Sequence, residues 1–497
     1  MPKFSCTGDS PSAVKADLLV VPAYSTENGF ELGPGAKSLD KKSAGQLFSY
    51  LSGLGFKAKA GETVRYPSGD IAVAPAILVV GVGKKGEAGL QALRQAGAVL
   101  ARSSKKVRRV VTSLHKAGAR SAKGEAGVRA VVEGAALGGY EFLRYKKDPE
   151  PSRLAEVIFA ECEPCKNAIS EGLAVSDAVN WARDLVNEPA GAKPPAVIAN
   201  QIKSKLESAG VSCEIWDRRR LAKERLGGVL GVGAGSANDP CLVRYEYKPR
   251  GKSQKKICLV GKGVVFDSGG LSLKPAEGMD TMKTDMSGAA AVAATMGALK
   301  SLGVKAHVIA FTPFVENMPS GSASKPGDIL KFRNNKTAEV LNTDAEGRLI
   351  LADALSLASE EKPAAIVDLA TLTGACMVAL GMKIFGVMGN DDKLARALID
   401  AADQSGERGW HLPLPADYRK QIESPIADIK NIGNRYGGAL TAGLFLQEFV
   451  DESIPWVHLD IAGPARADAD EFEVTQGGTG VGVRTLLAWI TEATSAA

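Results

Sequence analysis

From residue 256 onward, short apolar runs alternate with stretches of helical spacing, and this alternation is what most restricts the fold. Residues 256–260, 306–312 and 364–369 read as buried strands, and 287–302 and 348–361 as helices, the first of them Ala-rich. Apolar strands separated by helices require a mostly parallel sheet with both faces covered. Functional groups in such sheets gather beyond the carboxyl ends of the strands. Lys262, Asp267 and Thr371 each fall just past a predicted strand end, so one crevice can hold all three.

At 497 residues the chain is longer than one hydrophobic core supports, and two domains are expected. Residues 18–22, 77–80 and 107–112 read as strands and 90–102 as a helix, so the first 160 residues form an α/β domain of their own. Pro149-Glu-Pro151 punctuates its end. Apolar residues at helical spacing from Ile169 to Val186 predict a long helix over 166–187, stopped at Asn187-Glu-Pro189 because a residue before proline disfavours the helical conformation. The predicted architecture is α/β with two domains, each a mixed or mostly parallel sheet flanked by helices, joined by a long helix. The boundaries are 1–160, a linker helix in 161–190, and 191–497.

The start of the chain lacks a basic-then-apolar leader. The uncharged run 369–382 has 14 residues, too few to span a bilayer. A soluble, cytoplasmic protein is expected. Seven scattered cysteines argue against a disulfide framework. Cys162-Glu-Pro-Cys165 has no partner pair, so two reduced thiols before a helix are expected rather than a zinc site. Charge is uneven: residues 1–160 hold 24 Lys and Arg against 14 Asp and Glu, the remainder 37 against 42. The run Lys105-Lys106-Val-Arg108-Arg109 has no interleaved aromatics for base stacking. It reads as a solvated face or the partner of an acidic neighbour, with nucleic-acid contact left open. Gly81-Val-Gly83-Lys-Lys-Gly86 imitates a dinucleotide fingerprint, but the acidic residue expected about 20 positions later is missing. A plain strand-to-helix turn is expected there.

The chemistry concentrates elsewhere. Asp267, Asp285, Asp344 and Glu346 lie in apolar, glycine-rich segments beside Lys262, Lys274 and Arg348. None of the four histidines is among them, and no His-Glu-x-x-His motif occurs. Four carboxylates match the charge of two divalent cations, and each can use both oxygens to bridge. Two cations can both acidify a water and polarise a carbonyl, which is what peptide hydrolysis needs. Asp344 and Glu346 are two apart, so an extended loop would point them to one side. Arg348, at a helix start, is placed to hold a small anion. Lys262 and Lys274 flank the turn Asp267-Ser-Gly-Gly270. A lysine ligates only when neutral, and nearby dications with burial are expected to depress its pKa.

Asn342-Thr-Asp-Ala-Glu-Gly-Arg-Leu349 resembles the signature octapeptide of the leucyl (cytosol) aminopeptidases without a mismatch. Four further segments are similar to that family: 260–270, Glu316-Asn-Met-Pro-Ser-Gly321, Asp368-Leu-Ala-Thr-Leu-Thr-Gly-Ala375 and His458-Leu-Asp-Ile-Ala-Gly463. The resemblance extends over about residues 175–490; the first 160 match only in general layout. The resemblance implies a metal-dependent aminopeptidase that releases N-terminal residues, Leu and other apolar ones preferred. Lys262, Asp267, Asp285 and Glu346 would hold one cation. Asp267, Asp344 (side chain and carbonyl) and Glu346 would hold the other. Zinc, manganese or magnesium would fill the sites. Lys274 would stabilise the gem-diolate, and Arg348 would hold a bicarbonate that moves the proton. Met282, Thr371, Leu372, Gly374, Ala462 and Ala465 would line the side-chain pocket, made roomier where some members carry methionine in place of Ala465. Asn335 stands where glycine is usual before Lys336, and asparagine tolerates a left-handed backbone. A homohexamer built as a dimer of trimers is implied, with Asn431 to Gly438 similar to the matching segment. The basic first domain would be macro-domain-like, with an oligomer-forming or regulatory role.

Three other readings compete. They are a binding protein using the basic first domain, a subunit that has lost catalysis, and a nicotinamide-dependent oxidoreductase. The full set of acidic residues, both lysines and Arg348 argue against the second, and the weak glycine fingerprint against the third.

Overall fold

A computed structural model describes residues 1–119, 122, 124–249, 251 and 255–495. The fold is mixed α/β with two compact units. The first comprises Met1–Asp177 with Asp468–Gln476, the second Ala178–Ala467 with Gly477–Ala497. The division falls inside the long helix Lys166–Asn187 rather than at its ends, and residues 468–476 return to the first unit. No sequence signal marked that return segment.

The first unit is built on a seven-stranded sheet of β1 (Lys3–Cys6), β2 (Leu18–Thr26), β3 (Gly29–Leu32), β4 (Thr63–Pro67), β5 (Ala76–Lys84), β6 (Arg109–Thr112) and β7 (Glu156–Phe159). The order is β1-β7-β6-β2-β5-β4, with β3 on β2 and only β3 and β4 antiparallel. Strand side chains alternate between faces, so Leu18 and Val20 enter one apolar layer and Leu19 and Val21 the opposite one. A continuous apolar run is therefore the correct pattern for a central strand covered on both sides. Strand β5 runs on through Lys84, so Gly81 and Gly83 lie inside the strand and not in a strand-to-helix turn. The predicted turn is thus displaced toward Gly86. Two members of the basic run are already paired, Lys105 with Glu141 at 2.8 Å and Arg109 with Glu156 at 2.9 Å.

The second unit carries a nine-stranded sheet. Its strands are β8 (Ser212–Trp216), β9 (Cys241–Tyr247), β10 (Lys256–Gly261), β11 (Gly263–Asp267) and β12 (His307–Asn317). The large sheet continues with β15 (Ala365–Ala370), β16 (Phe385–Gly389), β17 (Gly409–His411) and β19 (Trp456–Asp460), while β13 (Ile329–Lys331), β14 (Thr337–Glu339) and β18 (Ile429–Lys430) form a small separate sheet. The order is β17-β16-β19-β15-β10-β12-β9-β8, with β11 on β12. The centre, β19-β15-β10-β12, is parallel, and the flanks β9, β8 and β16 are antiparallel. Antiparallel flanks on a parallel centre are what a mixed sheet of this size usually shows. The helix Ser287–Ala298 is buried and apolar nearly all round, whereas Gly347–Glu360, also buried over most of its length, carries Arg348 and Asp353 inside. Asn335 takes the left-handed conformation its position requires, at φ +70°. Among the described residues no helix is long and apolar enough to cross a membrane. The uncharged run 369–382 becomes the end of β15, a loop and the short helix Gly374–Leu380.

Candidate metal centre

The site forms where three parallel strands stop. Lys262 follows β10 directly, Asp267 ends β11, and Thr371 follows β15. The register of β10 against β15 brings Gly261 opposite Leu369, and Lys262 N donates to Leu369 O at 3.0 Å. The Lys262 side chain is buried and reaches three oxygens: Thr371 O at 2.8 Å, Asp285 Oδ2 at 2.9 Å and Glu346 Oε1 at 2.9 Å. Gly347 makes room for it. A Cβ at that position would lie 2.7 Å from Lys262 Cε and Nζ, so the octapeptide needs glycine between its glutamate and arginine.

Asp267 accepts from Gly269 N at 2.9 Å and from Asn317 Nδ2 at 2.8 Å, and its Oδ2 lies 2.9 Å from Lys274 Nζ. Gly269 has φ +86°, which glycine adopts without strain, and the reversal there brings Lys274 N onto Ser268 O. Lys274 also pairs with Asp344 Oδ1. The octapeptide is a turn running into the helix Gly347–Glu360, not an extended strand. Ala345 N donates to Asn342 O, and Glu346 already has helical dihedrals at the helix start. The expected same-side placement of Asp344 and Glu346 thus comes from a turn, and carboxylate oxygens of Asp267, Asp344 and Glu346 lie within 4.8 Å of one another. Asp285 sits just ahead of the helix Ser287–Ala298 and accepts from Thr371 Oγ1 at 2.6 Å.

Electrostatics show what the cluster lacks. Burial and then repulsion from Asp267 push Glu346 up to about 8, against the opposing pull of Lys262. Burial likewise raises Asp285 to about 6 and Asp344 above its ordinary range. Burial opposes charge on Lys262, but Asp285, Glu346 and Asp267 outweigh it and hold the ammonium well above the usual lysine value. Burial alone therefore does not neutralise this lysine, and the nearby dications invoked from sequence would have to displace its proton. Glu346 Oε2 is buried with no partner, while Asp285 Oδ2, Asp344 Oδ1 and Glu346 Oε1 face only lysine ammonium groups. Unpaired buried carboxylate oxygens are costly, and an oxygen-rich set of this kind suits divalent cations. The donor set fits the metals that the resemblance implies.

Two family models match this chain. The "Cytosol aminopeptidase family, catalytic domain" covers residues 180–487, and the family's N-terminal domain covers 20–149. The chain belongs to the cytosol aminopeptidase family. A probable cytosol aminopeptidase of Streptomyces avermitilis is 44% identical over 96% of each chain. One from Aquifex aeolicus is 43% identical over 88% of this chain and 89% of that one. Among solved structures, the bottromycin maturation enzyme BotP in complex with Mn superposes with a TM-score of 0.87 at 38% identity, covering 96% of this chain and all of that one. A tomato leucine aminopeptidase mutant gives 0.88 at 34%, covering 99% and 97%. As a cytosol aminopeptidase the protein is a metal-dependent peptide hydrolase.

The rest of the aminopeptidase site is wired by residues that sequence reasoning did not single out. Asn317, one of the residues in 316–321 similar to the family, donates to both Asp267 Oδ1 and Thr343 O and so ties β11 to the octapeptide. Asn431 accepts from Leu341 N, donates to Asn342 O, and its carbonyl receives Arg348 Nη1 at 2.7 Å. Arg348 is buried, its Nε has no partner, and burial lowers it to about 10. Asp460 accepts from both Leu372 N and Ala462 N at 3.2 Å, which joins two of the predicted pocket residues. Met282 and Thr371 are half-buried, Gly374 is exposed, and Ala465 is buried at 2% exposure. All three lie in segments similar to the family, but only long-range hydrogen bonding shows what Asn317, Asn431 and Asp460 hold.

Proposed function

We propose that the enzyme removes N-terminal residues, Leu and other apolar ones preferred, with two divalent cations held by Lys262, Asp267, Asp285, Asp344 and Glu346. The partnerless, buried Oε2 of Glu346, in a carboxylate within reach of Asp267 and Asp344, carries this reading. Lys262, Asp267, Asp285 and Glu346 would hold one cation; Asp267, Asp344 and Glu346 the other. Zinc, manganese or magnesium would acidify the attacking water and polarise the scissile carbonyl. The manganese in BotP supports that ion among the three.

Lys274, partly open to solvent between Asp267 and Asp344, is placed to stabilise the negative charge of the gem-diolate. Arg348 presents an unpaired Nε while Asn431 fixes its other end, which suits a bicarbonate that would pass the proton from water to the leaving amine. Met282, Thr371, Leu372, Gly374, Ala462 and Ala465 would receive the first side chain. Replacing Ala465 by methionine is expected to cut the Phe-to-Leu amide preference about tenfold, the scale of a filled apolar subsite; an unchanged ratio refutes the pocket. By family membership the assembly would be a homohexamer, a dimer of trimers, in the cytoplasm. Nucleic-acid binding gains no support, since part of the basic run is already ion-paired.

The test is hydrolysis of leucine p-nitroanilide by the chelated protein after adding Zn²⁺, Mn²⁺ or Mg²⁺, beside Asp344→Ala. Restoration in the parent alone supports the reading. Hydrolysis that survives chelation, or equals the parent in the variant, rejects it.

A further inference from the structure

Sequence reading leaves Cys162 and Cys165 as an isolated pair, yet the fold supplies a third thiol. Strands β1 and β7 pair in parallel with Cys6 opposite Phe159. Beyond the strand ends, Thr7 N donates to Phe159 O and Cys162 N to Thr7 O, both at 2.9 Å. Glu161, with φ +47°, reverses the chain between them, in a left-handed conformation that a non-glycine residue seldom adopts. The reversal lays Cys162 over the end of β1, where Cys6 is. Cys165 starts the 22-residue helix Lys166–Asn187, its carbonyl accepting from Ile169 N at 3.1 Å. Three separately anchored segments thus deliver one sulfur each.

The sulfurs of Cys6, Cys162 and Cys165 lie within 4.8 Å of one another, with Cys162 and Cys165 at 3.8 Å. A metal–sulfur bond of about 2.3 Å gives a sulfur–sulfur edge of about 3.8 Å in a tetrahedron and about 4.0 Å in a plane. A disulfide requires about 2.05 Å. The Cys162–Cys165 separation matches such an edge and is far too long for a disulfide; burial holds both thiols protonated, so a cation would bind by displacing their protons. Cys162 and Cys165 are buried, but Cys6 is only half-buried and the loop over the trio, Glu163 and Pro164, is exposed. The trio thus lies close to solvent on the Cys6 side.

We propose that Cys6, Cys162 and Cys165 form a second, sulfur-only metal site in the first unit, taking a thiophilic d¹⁰ cation, Zn²⁺ or Cu⁺. Binding exchanges three thiol protons, released to solvent, for three metal–sulfur bonds. Thiolates select these ions, whereas the carboxylate centre of the second unit selects harder ones. The two sites are separable by ligand chemistry.

The experiment titrates the reduced, metal-stripped full chain with Cd²⁺ while Mn²⁺ saturates the carboxylate centre. Thiolate-to-cadmium charge transfer absorbs in the ultraviolet and has no counterpart at an oxygen site. One equivalent is expected to saturate the band; displacement by Zn²⁺ assigns zinc, and displacement by Cu⁺ alone assigns copper. Cys6→Ser, the least buried of the three, is expected to weaken Cd²⁺ binding by more than about tenfold, because even an outer partner of a metal ligand is worth ~10–100-fold. Retained aminopeptidase activity in that variant shows that it folds. Absence of the band in the reduced parent, or an unchanged band in the folded Cys6→Ser protein, overturns the proposal.

Discussion

The carboxylate centre around Glu346 and the thiol trio around Cys162 both gather ligand atoms from distant segments, but the two bear very different costs. The first packs four carboxylates against two lysines, and burial with mutual repulsion raises Glu346 and Asp285 far above ordinary carboxyl values. The second consists of side chains that are neutral when protonated and double as core residues beside Phe4 and Phe159. A charged cluster has to be held open by surrounding hydrogen bonds, from Asn317 on Asp267 and Thr371 on Asp285. A thiol cluster needs only chain geometry, since cysteine packs like a small apolar residue. Charge that the fold must support should therefore be the more sensitive to mutation.

Four changes sharpen or break that contrast. The largest effect is expected of Asp267→Asn, which removes a charge proposed to serve both cations. Several kcal/mol of charge stabilisation, a factor of roughly a thousand or more in kcat/KM for leucine p-nitroanilide, should be lost at any metal concentration. Next, Lys274→Met should lower kcat about 10²–10³-fold with bound metal retained, as for loss of an oxyanion donor. Metal content by mass spectrometry separates that outcome from loss of a ligand. Thr371→Val removes only the hydrogen bond to Asp285, and metal affinity should fall by about 10–100-fold. Parent-like affinity would show that the centre does not depend on its surroundings.

The smallest effect belongs to the first unit. His115 is buried and lowered to about 4, by burial first and by Lys116 second. Its folded pKa lies below the unfolded value near 6.5, so the unfolded chain binds more protons between those limits. Stability from the neutral ring is complete above about 6.5 and is lost as pH falls toward 4. His115→Gln should therefore flatten the acid-side decline of the first unit's melting temperature by a few degrees. An identical slope in parent and variant would remove His115 as its cause.

The two clusters were also unequally legible. Acidic residues in apolar, glycine-rich sequence are anomalous, so Asp267, Asp285, Asp344 and Glu346 stood out before any fold was known. The parallel order of β10, β12 and β15 followed from strand–helix alternation, and it is the carboxyl ends of β10 and β15 that meet at Lys262 and Thr371. Cys6 could not be joined to Cys162 in this way, because only the parallel pairing of β1 with β7 brings residues so far apart into register. Asn317, Asn431 and Asp460 escaped for the same reason: their roles are hydrogen bonds across the fold, and asparagine and aspartate are ordinary in loops. The return of residues 468–476 to the first unit left no local signature either.

The most direct test is a calorimetric titration of the chelated enzyme with Mn²⁺, an ion that thiols bind poorly. Two equivalents should bind the parent; with Asp285 proposed to hold one cation and Glu346 both, Asp285→Asn should bind one and Glu346→Gln neither tightly. A single equivalent in the parent, or two in Glu346→Gln, would contradict the two-metal centre.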